Sequence, residues 1–255
     1  MITAHLNTLL DIVKKAGDAI LGIYDQPDIA VDIKKDASPL TAADMASHHI
    51  LVDGLQKIDP GIPVISEEGR KQDQRSPEQT TFWCVDPLDG TKEFLKRNGE
   101  FTVNVALIRD QKPVLGVVYA PVTGTFYYGA NGLGSFKMTE DEAPVPIRVS
   151  KRTSGLIAVG SRSHQHPEEE KMLAALGVTN IVARGSSLKL CLVATGEADI
   201  YYRHGPTMEW DTAAGHAVVI NAGGIVTDLN GSDLIYDKPG MLNPGFICRS
   251  AAIAF

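Results

Sequence analysis

The sequence predicts a mixed α/β protein, with an α+β N-terminal half and an α/β C-terminal half. Three features of the 255-residue chain support this. Apolar residues at helical spacing open the chain, two long β-favouring runs occupy its middle, and short strand and helix patterns alternate afterwards. Residues 131–146 are rich in glycine, acidic residues and proline. We therefore expect the boundary there, between regions 1–145 and 146–255.

The first half contains two helical patterns and several short strands. Apolar residues three and four positions apart predict an amphipathic helix over residues 3–24, and a second helix is predicted over 40–58. Alternation around residues 31–33 indicates a short strand, and the apolar run 62–66 indicates another. The polar residues 70–80 are expected to form a loop.

The middle of the chain predicts one antiparallel sheet. Residues 101–108 and 114–120 are expected to be neighbouring strands, followed by a short strand over 125–128. Alternating elements are then predicted as strand 156–160, helix 166–176, strand 178–183, helix 186–196, strand 199–202, helix 210–221, strand 225–228 and strand 246–249. This alternation is typical of an α/β layer arrangement.

The overall composition excludes some classes of protein. The formal charge is −7, from 24 basic and 31 acidic residues, so no nucleic acid polymer is expected as a partner. Cys84, Cys191 and Cys248 lie in apolar or helical runs, which is typical of buried, reduced thiols. No basic-then-apolar leader is evident, and no apolar run reaches the ~18 residues of a membrane span. We therefore expect a cytoplasmic protein without an integral membrane segment.

The candidate chemistry centres on residues 82–94, where an apolar run leads into Asp86-Pro87-Leu88-Asp89-Gly90. The run predicts a buried strand that ends at Asp86, and Pro-Leu-Asp-Gly predicts a turn. Two carboxylates three residues apart across such a turn can converge on one point. Oxygen ligands of this kind suit Mg²⁺, which shares its remaining positions with water and phosphate. The stretch therefore indicates a metal-dependent phosphoryl-transfer site.

Two further carboxylates are candidates for the same site. Glu67 follows an apolar strand as Asp86 does, so neighbouring strands would bring both to one edge; the alternative is a solvated Glu-Glu turn. Asp211 lies at a predicted helix start, where an ordinary N-cap is the alternative. Thr41 and Asp44 have the spacing of a capping box, and Thr91 could simply make a turn contact. Together these residues fit two-metal phosphate chemistry, which needs several carboxylates around two cations.

Four segments of the chain carry most of the candidate residues. They are Leu40-Thr41-Ala42-Ala43-Asp44, Ser66-Glu67-Glu68-Gly69, Asp86-Pro87-Leu88-Asp89-Gly90-Thr91 and Trp210-Asp211-Thr212-Ala213-Ala214-Gly215. These segments and their order are typical of the inositol monophosphatase superfamily, and the chain resembles that superfamily from its first helix to Gly223-Gly224. Within it, the chain is most similar to the CysQ-type 3′(2′),5′-bisphosphate nucleotidases. The Lys-Glu-Phe after Thr91 and the segment Gly185-Ser186-Ser187-Leu188-Lys189 carry this closer likeness, whereas inositol phosphatases usually have Thr-Thr-Asn-Phe after the Asp-Gly.

The resemblance implies a layered αβαβα sandwich with two Mg²⁺ ions per active site. Glu67, Asp86 and the carbonyl of Leu88 are the implied ligands of the first ion. Asp86, Asp89 and Asp211 are those of the second. The N-terminal half would therefore supply most metal ligands, and the C-terminal half would supply Asp211 and the substrate pocket.

The resemblance also implies the residues that act on water and substrate. Thr91, paired with Asp44, is the implied catalytic pair that orients and deprotonates the attacking water. Glu68 is a candidate for ordering a water or a third ion. The implied substrate-binding residues are Glu67, Leu88, Asp89, Gly90, Thr91, His164, Ser186, Lys189, Arg203 and Asp211. Four of these residues have a simpler alternative. Ser186 could be an N-cap, Lys189 and Arg203 could be solvated charges, and His164 could be a surface histidine.

The implied reaction is hydrolysis of the 3′-phosphate of adenosine 3′,5′-bisphosphate to AMP, which recycles a by-product of sulfate assimilation. An inositol or sugar-phosphate phosphatase of the same fold is the alternative, and a non-catalytic nucleotide- or cation-binding regulator is a third possibility. A haloacid-dehalogenase-type phosphatase fits poorly, because two residues rather than one separate Asp86 and Asp89. The resemblance further implies inhibition by Li⁺, competition by Ca²⁺ and peripheral contact with the inner membrane. The oligomeric state stays open.

Overall fold

The computed structural model describes residues 5–26, 31–33, 39–72, 78–162 and 166–253, with backbone only at 31–33, 39–41 and 70–72. Its helices are α1 (Leu6–Tyr24), α2 (Ala42–Ile58), α3 (Thr91–Leu95), α4 (Pro167–Ala175), α5 (Leu188–Ala194) and α6 (Ala213–Asn221). The helices predicted at the start of the chain, over 40–58 and in the second half are confirmed, with shifted ends. One such shift bears on the site, because α5 begins at Leu188 rather than at residue 186.

Seven strands form the larger sheet. They are β3 (Val64–Ser66), β4 (Thr81–Asp89), β5 (Thr102–Arg109), β6 (Lys112–Ala120), β7 (Thr125–Ala130), β8 (Gly134–Thr139) and β9 (Val145–Ile147), hydrogen-bonded in that order. β3 and β4 are parallel, and every later pair is antiparallel. The predicted antiparallel pairing of β5 with β6 is therefore confirmed.

Five strands form the smaller sheet. They are β10 (Ile157–Ser161), β11 (Asn180–Arg184), β12 (Ile200–Arg203), β14 (Gly224–Asp228) and β16 (Phe246–Ser250), in the order β11-β10-β12-β16-β14. All five were expected from the alternating pattern. Two short pairs stand apart: β1 (Val31–Ile33) with β2 (Pro39–Thr41), and β13 (Thr207–Met208) with β15 (Leu242–Asn243).

The two sheets and the helices form five layers around three apolar cores. Along β4, Trp83 and Val85 face α1 and α2, whereas Phe82 and Cys84 face a core shared with α5 and α6. The side chains alternate because successive residues of a strand point to opposite faces. The same helices pack on the smaller sheet, whose outer face meets α4 in the third core. The predicted αβαβα sandwich is confirmed.

α6 lies unusually close to the larger sheet, and this closeness positions the residues at its N-terminus. Gly116 in β6 faces the helix, and a Cβ at that position would lie 2.3 Å from the carbonyl oxygen of Ala214. Only glycine leaves room for the helix backbone there. Asp211, two residues before α6, is thereby held beside the end of β4.

Of the predictions about the first half, the end of β4 is wrong, the loop over 70–80 is only partly covered by the described residues, and the domain boundary is untested. β4 does not end at Asp86 but continues to Asp89, and the short helix α3 follows where only a turn was expected. Residues 131–146, expected to be a seam, contain β8 and the start of β9. The division near residue 145 stays a prediction, since both halves contribute to the core around α5 and α6. The loop predicted over 70–80 falls partly on residues outside the described ranges, and 67–72 form a 3₁₀ helix.

Cysteines and membrane association can be checked on the described residues. Cys84, Cys191 and Cys248 are all buried and free, as expected. In the part of the chain that the structure describes, none of the helices has both the length and the apolar character needed to cross a bilayer. The cytoplasmic location stays a prediction.

Candidate active site

A β-bulge brings Asp86 and Asp89 to the same face of the larger sheet. Asp86 pairs with Asn104 and Asp89 with Thr102, so three steps along β4 match two along β5. In a regular strand, residues three apart point to opposite faces, and the extra residue of the bulge removes that difference. Pro87 can occupy this position because a bulge leaves one residue outside the ladder.

The bulge is fixed by two hydrogen bonds. The hydroxyl of Ser47 in α2 donates to the carbonyl oxygen of Pro87 over 2.7 Å, and the Leu88 N–H donates to Asp86 Oδ1 over 3.1 Å. Gly90, which follows, has a φ of 94°. A Cβ there would lie 3.3 Å from the Ser186 Cβ, so glycine permits both the backbone conformation and the close contact.

Glu67 reaches the same place because β3 runs parallel beside β4. Ser66 pairs with Val85, so Glu67 leaves its strand next to Asp86, as the sequence predicted for neighbouring strands. The Ser66 hydroxyl and His48 Nδ1 are 2.8 Å apart, which ties the end of β3 to α2. Glu68 follows Glu67 in the same 3₁₀ turn.

Asp211 is not the N-cap of α6, so that alternative is wrong. Thr212 occupies the N-cap position, and Asp211 Oδ2 instead accepts a hydrogen bond from the Met208 N–H over 2.9 Å. Asp44 is fully buried in the first turn of α2, and Thr91 is the first residue of α3. For Thr41 the structure describes only the backbone, so the capping-box alternative is untested.

One cavity of about 270 Å³ collects most of the predicted site residues. The predicted residues among its lining are Glu67, Asp86, Leu88, Asp89, Gly90, Thr91, Ser186, Lys189, Arg203 and Asp211. Asp44 and Glu68 are not among the lining residues, and His164 lies outside the described ranges. The roles assigned to these residues stay predictions.

The carboxylates in this cavity repel one another. Burial, and then the charges of Glu67 and Asp89, raise the pKa of Asp86 well above its usual range. Burial followed by Asp89 and Glu67 does the same to the pKa of Asp211. Burial raises the pKa of Asp89 to about 6, although Lys189 and the Ser187 N–H oppose the shift. Crowded anions of this kind gain from a cation between them.

The donor set suits a hard divalent cation. It consists of carboxylate oxygens and the Leu88 carbonyl, with no thiol or imidazole among the predicted ligands. Among the residues that the structure describes, no three His, Cys, Asp or Glu side chains converge closely enough to enclose an ion as they stand.

The lining of the same cavity also carries positive charge, from Lys189 and Arg203. We call these two residues and Ser186 the basic wall, and we call Glu67, Asp86, Asp89 and Asp211 the carboxylate wall. Lys189 is buried, and its Nζ donates to the carbonyl oxygen of Ser186 over 2.5 Å and lies 5.5 Å from the ring centroid of Tyr201. Burial, then the nearby Arg203 charge, lowers the pKa of Lys189, while Asp89 opposes this. The alternative of a solvated charge is wrong for Lys189, which is buried, and the N-cap alternative is wrong for Ser186, because Ser187 precedes α5. Arg203 is half-buried, and its alternative stays open.

Several polar atoms on this wall have no hydrogen-bond partner within the described residues. They are Ser186 Oγ, Arg203 Nε and Thr207 Oγ1, and all three residues line the cavity. Buried polar groups are normally paired, so such atoms require a partner supplied from outside the chain. Sequence reasoning selected Ser186 and Arg203 but missed Thr207, because no motif marks the two-residue strand in which it lies.

A buried polar network joins the two walls. The Ser187 N–H donates to Asp89 Oδ2 over 2.5 Å, and the Ser187 hydroxyl lies 2.8 Å from both Asn104 Oδ1 and Thr102 Oγ1. Asn104 Nδ2 also reaches Asp89 Oδ2, at 3.5 Å. Sequence reasoning missed Thr102 and Asn104; their signal was two polar residues in an otherwise apolar strand.

The fold and the site define the class of protein. The sequence model of the inositol monophosphatase family matches residues 3–252, and the chain belongs to that family. Its members are metal-dependent phosphatases that generally use Mg²⁺.

Individual relatives show which members of the family this chain resembles. The chain is 47% identical over 244 residues to the 3′(2′),5′-bisphosphate nucleotidase CysQ of Salmonella typhimurium, covering 94% of this chain and 98% of the relative. It resembles the crystal structure of CysQ from Bacteroides thetaiotaomicron with a TM-score of 0.83 and 42% identity over 97% of each chain. The structure of inositol monophosphatase from Anabaena, with a TM-score of 0.79, 24% identity and coverage of 98% and 92%, shares the fold.

Proposed function

We propose that this protein hydrolyses the 3′-phosphate of adenosine 3′,5′-bisphosphate, giving AMP and inorganic phosphate. The single observation that carries the proposal is the polarity of the cavity. The lining of one cavity combines the carboxylates Glu67, Asp86, Asp89 and Asp211 with Ser186, Lys189 and Arg203. A monophosphate bound at the carboxylate wall would leave the basic wall unused. A substrate with two phosphates uses both.

The similarity to CysQ proteins supports the same substrate. The CysQ relatives are 3′(2′),5′-bisphosphate nucleotidases, and they match almost the whole chain. The N-terminal half contributes Glu67, Asp86 and Asp89, and the C-terminal half contributes Asp211 and the basic wall.

Each predicted residue has a role in this reaction. Glu67, Asp86 and the Leu88 carbonyl would hold one Mg²⁺, and Asp86, Asp89 and Asp211 would hold a second. When bound, the two ions supply an activated water and stabilise the charge on the reacting phosphate. Asp86 is shared, in keeping with its burial and its position at the start of the bulge.

The remaining residues handle the proton and the substrate. Thr91 borders the cavity, and Asp44 is buried in the helix that clamps the bulge. Thr91, paired with Asp44, would orient and deprotonate the attacking water: the Thr91 hydroxyl would take the proton of the water and pass its own proton to Asp44. Lys189 and Arg203 bind the 5′-phosphate through charge-assisted hydrogen bonds. Glu68 is proposed to order a further water or ion.

The proposal is tested by measuring phosphate release with Mg²⁺ from adenosine 3′,5′-bisphosphate, AMP and inositol 1-phosphate at equal concentrations. We expect kcat/KM to be at least about tenfold higher for the bisphosphate, which corresponds to one or two charged hydrogen bonds. A preference for inositol 1-phosphate would replace the proposal with the alternative phosphatase of the same fold. No release from any substrate would favour the non-catalytic regulator. Asp86→Asn, prepared in parallel, controls for contaminating phosphatases.

A further inference from the structure

Glu100 is a carboxylate that contacts the cavity-lining residue Gly185 and to which the proposed reaction gives no role. It precedes β5, and its side chain is only 15% exposed. Its two oxygens accept hydrogen bonds from Nε and Nη2 of Arg162, both at 2.9 Å. They also accept one from Arg184 at 3.3 Å and one from the Gly185 N–H at 2.8 Å. A bidentate pair with arginine fixes direction as well as distance.

The backbone that Glu100 holds leads directly into the basic wall. Gly185 is followed by Ser186, whose φ of 46° lies in the left-handed region that non-glycine residues rarely adopt. Such a conformation persists only where its surroundings hold it. Ser186 presents its carbonyl oxygen to Lys189 and keeps its hydroxyl buried without a partner among the described residues.

The turn formed by residues 184–187 is anchored at both ends. At one end Ser187 is bound to Asp89, Thr102 and Asn104. At the other end Glu100 binds Gly185. Ser186 lies between the two anchors. Loss of Glu100 releases the side of the turn that faces the basic wall and leaves the contact to Asp89 in place.

We propose that Glu100 is a positioning residue that sets the preference for a second phosphate, by holding Gly185 and Ser186 so that Ser186 and Lys189 face that phosphate. This inference rests on the proposed function. Glu100 also pairs with Arg162 and Arg184, whose side chains are 44% and 41% exposed.

The test compares two substrates that differ only in the second phosphate, adenosine 3′,5′-bisphosphate and adenosine 3′-monophosphate. For Glu100→Ala we expect the KM for the bisphosphate to rise about tenfold while kcat changes less than about twofold, because one charge-assisted contact is misplaced. The KM for the monophosphate should stay within about twofold. Glu100→Gln keeps an acceptor for the Gly185 N–H, so its effect should be about threefold. The same contrast can be measured with two inhibitors, so that turnover of the monophosphate is not needed. Glu100→Ala should weaken inhibition by AMP, which carries the 5′-phosphate, more than it weakens inhibition by inorganic phosphate.

The outcomes separate this inference from the proposed function. If the wild-type protein does not prefer the bisphosphate, the proposed function is wrong. If it does, and Glu100→Ala raises both KM values equally or lowers the KM for the bisphosphate, only the role of Glu100 is wrong. The matched control is Glu140→Gln, since Glu140 accepts from Tyr119 and pairs with Lys14 away from the cavity. It should change neither KM.

Discussion

Replacing Asp89 with asparagine should stabilise the metal-free protein while it removes activity. The Asp89 carboxyl has a pKa of about 6, against an ordinary value of 3.8. In the unfolded chain it therefore loses its proton at lower pH than in the folded protein. The contribution of Asp89 to the free energy of unfolding therefore falls as the pH rises from about 4 to about 6, because the unfolded chain releases this proton more readily. Above that range the contribution stays at its lower value.

The magnitude follows from the two pKa values. Their difference corresponds to about 3 kcal/mol at 1.36 kcal/mol per pKa unit. Asp89 borders an open cavity, so solvent reduces this value and about 3 kcal/mol is the upper end. For a protein of this size it amounts to a shift in melting temperature of about 6–12 °C at most. Asparagine cannot ionise, and its side-chain oxygen can still accept from the Ser187 N–H.

The assay is thermal unfolding in a chelator at pH 4.5 and pH 7.5, followed by a Mg²⁺ titration at pH 7.5. Metal-free Asp89→Asn should melt above metal-free wild type at pH 7.5. The difference should shrink to about a third at pH 4.5, where the folded protein keeps its proton but the unfolded carboxyl is already mostly ionised. Added Mg²⁺ should raise the melting temperature of the wild type and affect the variant much less, because binding to the folded state stabilises it. Asp228→Asn is the control, since Asp228 accepts backbone hydrogen bonds from Asn230 and Ser232 in a surface turn. A metal-free wild type that matches the variant at pH 7.5 would refute the reasoning.

Three further predictions concern the proposed reaction. Asp86→Asn should lower kcat by more than the 10- to 100-fold typical of supporting residues around a metal, and near-normal phosphate release would contradict the two-metal proposal. Thr91→Val should lower kcat by about 10²-fold with little change in KM, while Thr91→Ser retains most of the rate; a pure KM effect in steady-state kinetics would argue against its role. Lys189→Met should raise the KM for the bisphosphate by about 10- to 100-fold and that for adenosine 3′-monophosphate far less, and equal effects would remove Lys189 from the 5′-phosphate site.

The parts of the fold that could be predicted are those with a strong local pattern. The helix α1 buries one periodic set of apolar residues, and the strands β5 and β6 are almost continuously apolar because both of their faces are buried, so the pattern in the sequence was sufficient. β8 was missed because most of its residues are only partly buried, so alternation is weak. α3 has five residues, too few to show a helical period.

The end of β4 shows how a reliable local signal can mislead. Proline removes a donor from a β-ladder, and so the sequence indicated that the strand stops before Pro87. In the structure the bulge leaves room for Pro87, and Ser47 of α2 satisfies its carbonyl. That partner is 40 residues away in sequence, so no local window contains it. The convergence of Asp86 and Asp89 was predicted, but through a turn rather than through the bulge that produces it.

The contacts that could not be predicted are those that join the two halves. Motif spacing identifies Asp89 and the segment that begins at Gly185 as separate features, 98 residues apart at the Asp89–Ser187 contact. In the folded protein the Ser187 N–H is bound to an oxygen of the proposed metal ligand. The carboxylate wall and the basic wall are therefore directly connected, through the hydrogen bond between Ser187 and Asp89. A change in the 184–187 turn can reach a metal ligand through a single hydrogen bond. For this reason, the effect of Glu100 on specificity has to be measured as a contrast between two substrates rather than as a loss of rate on one.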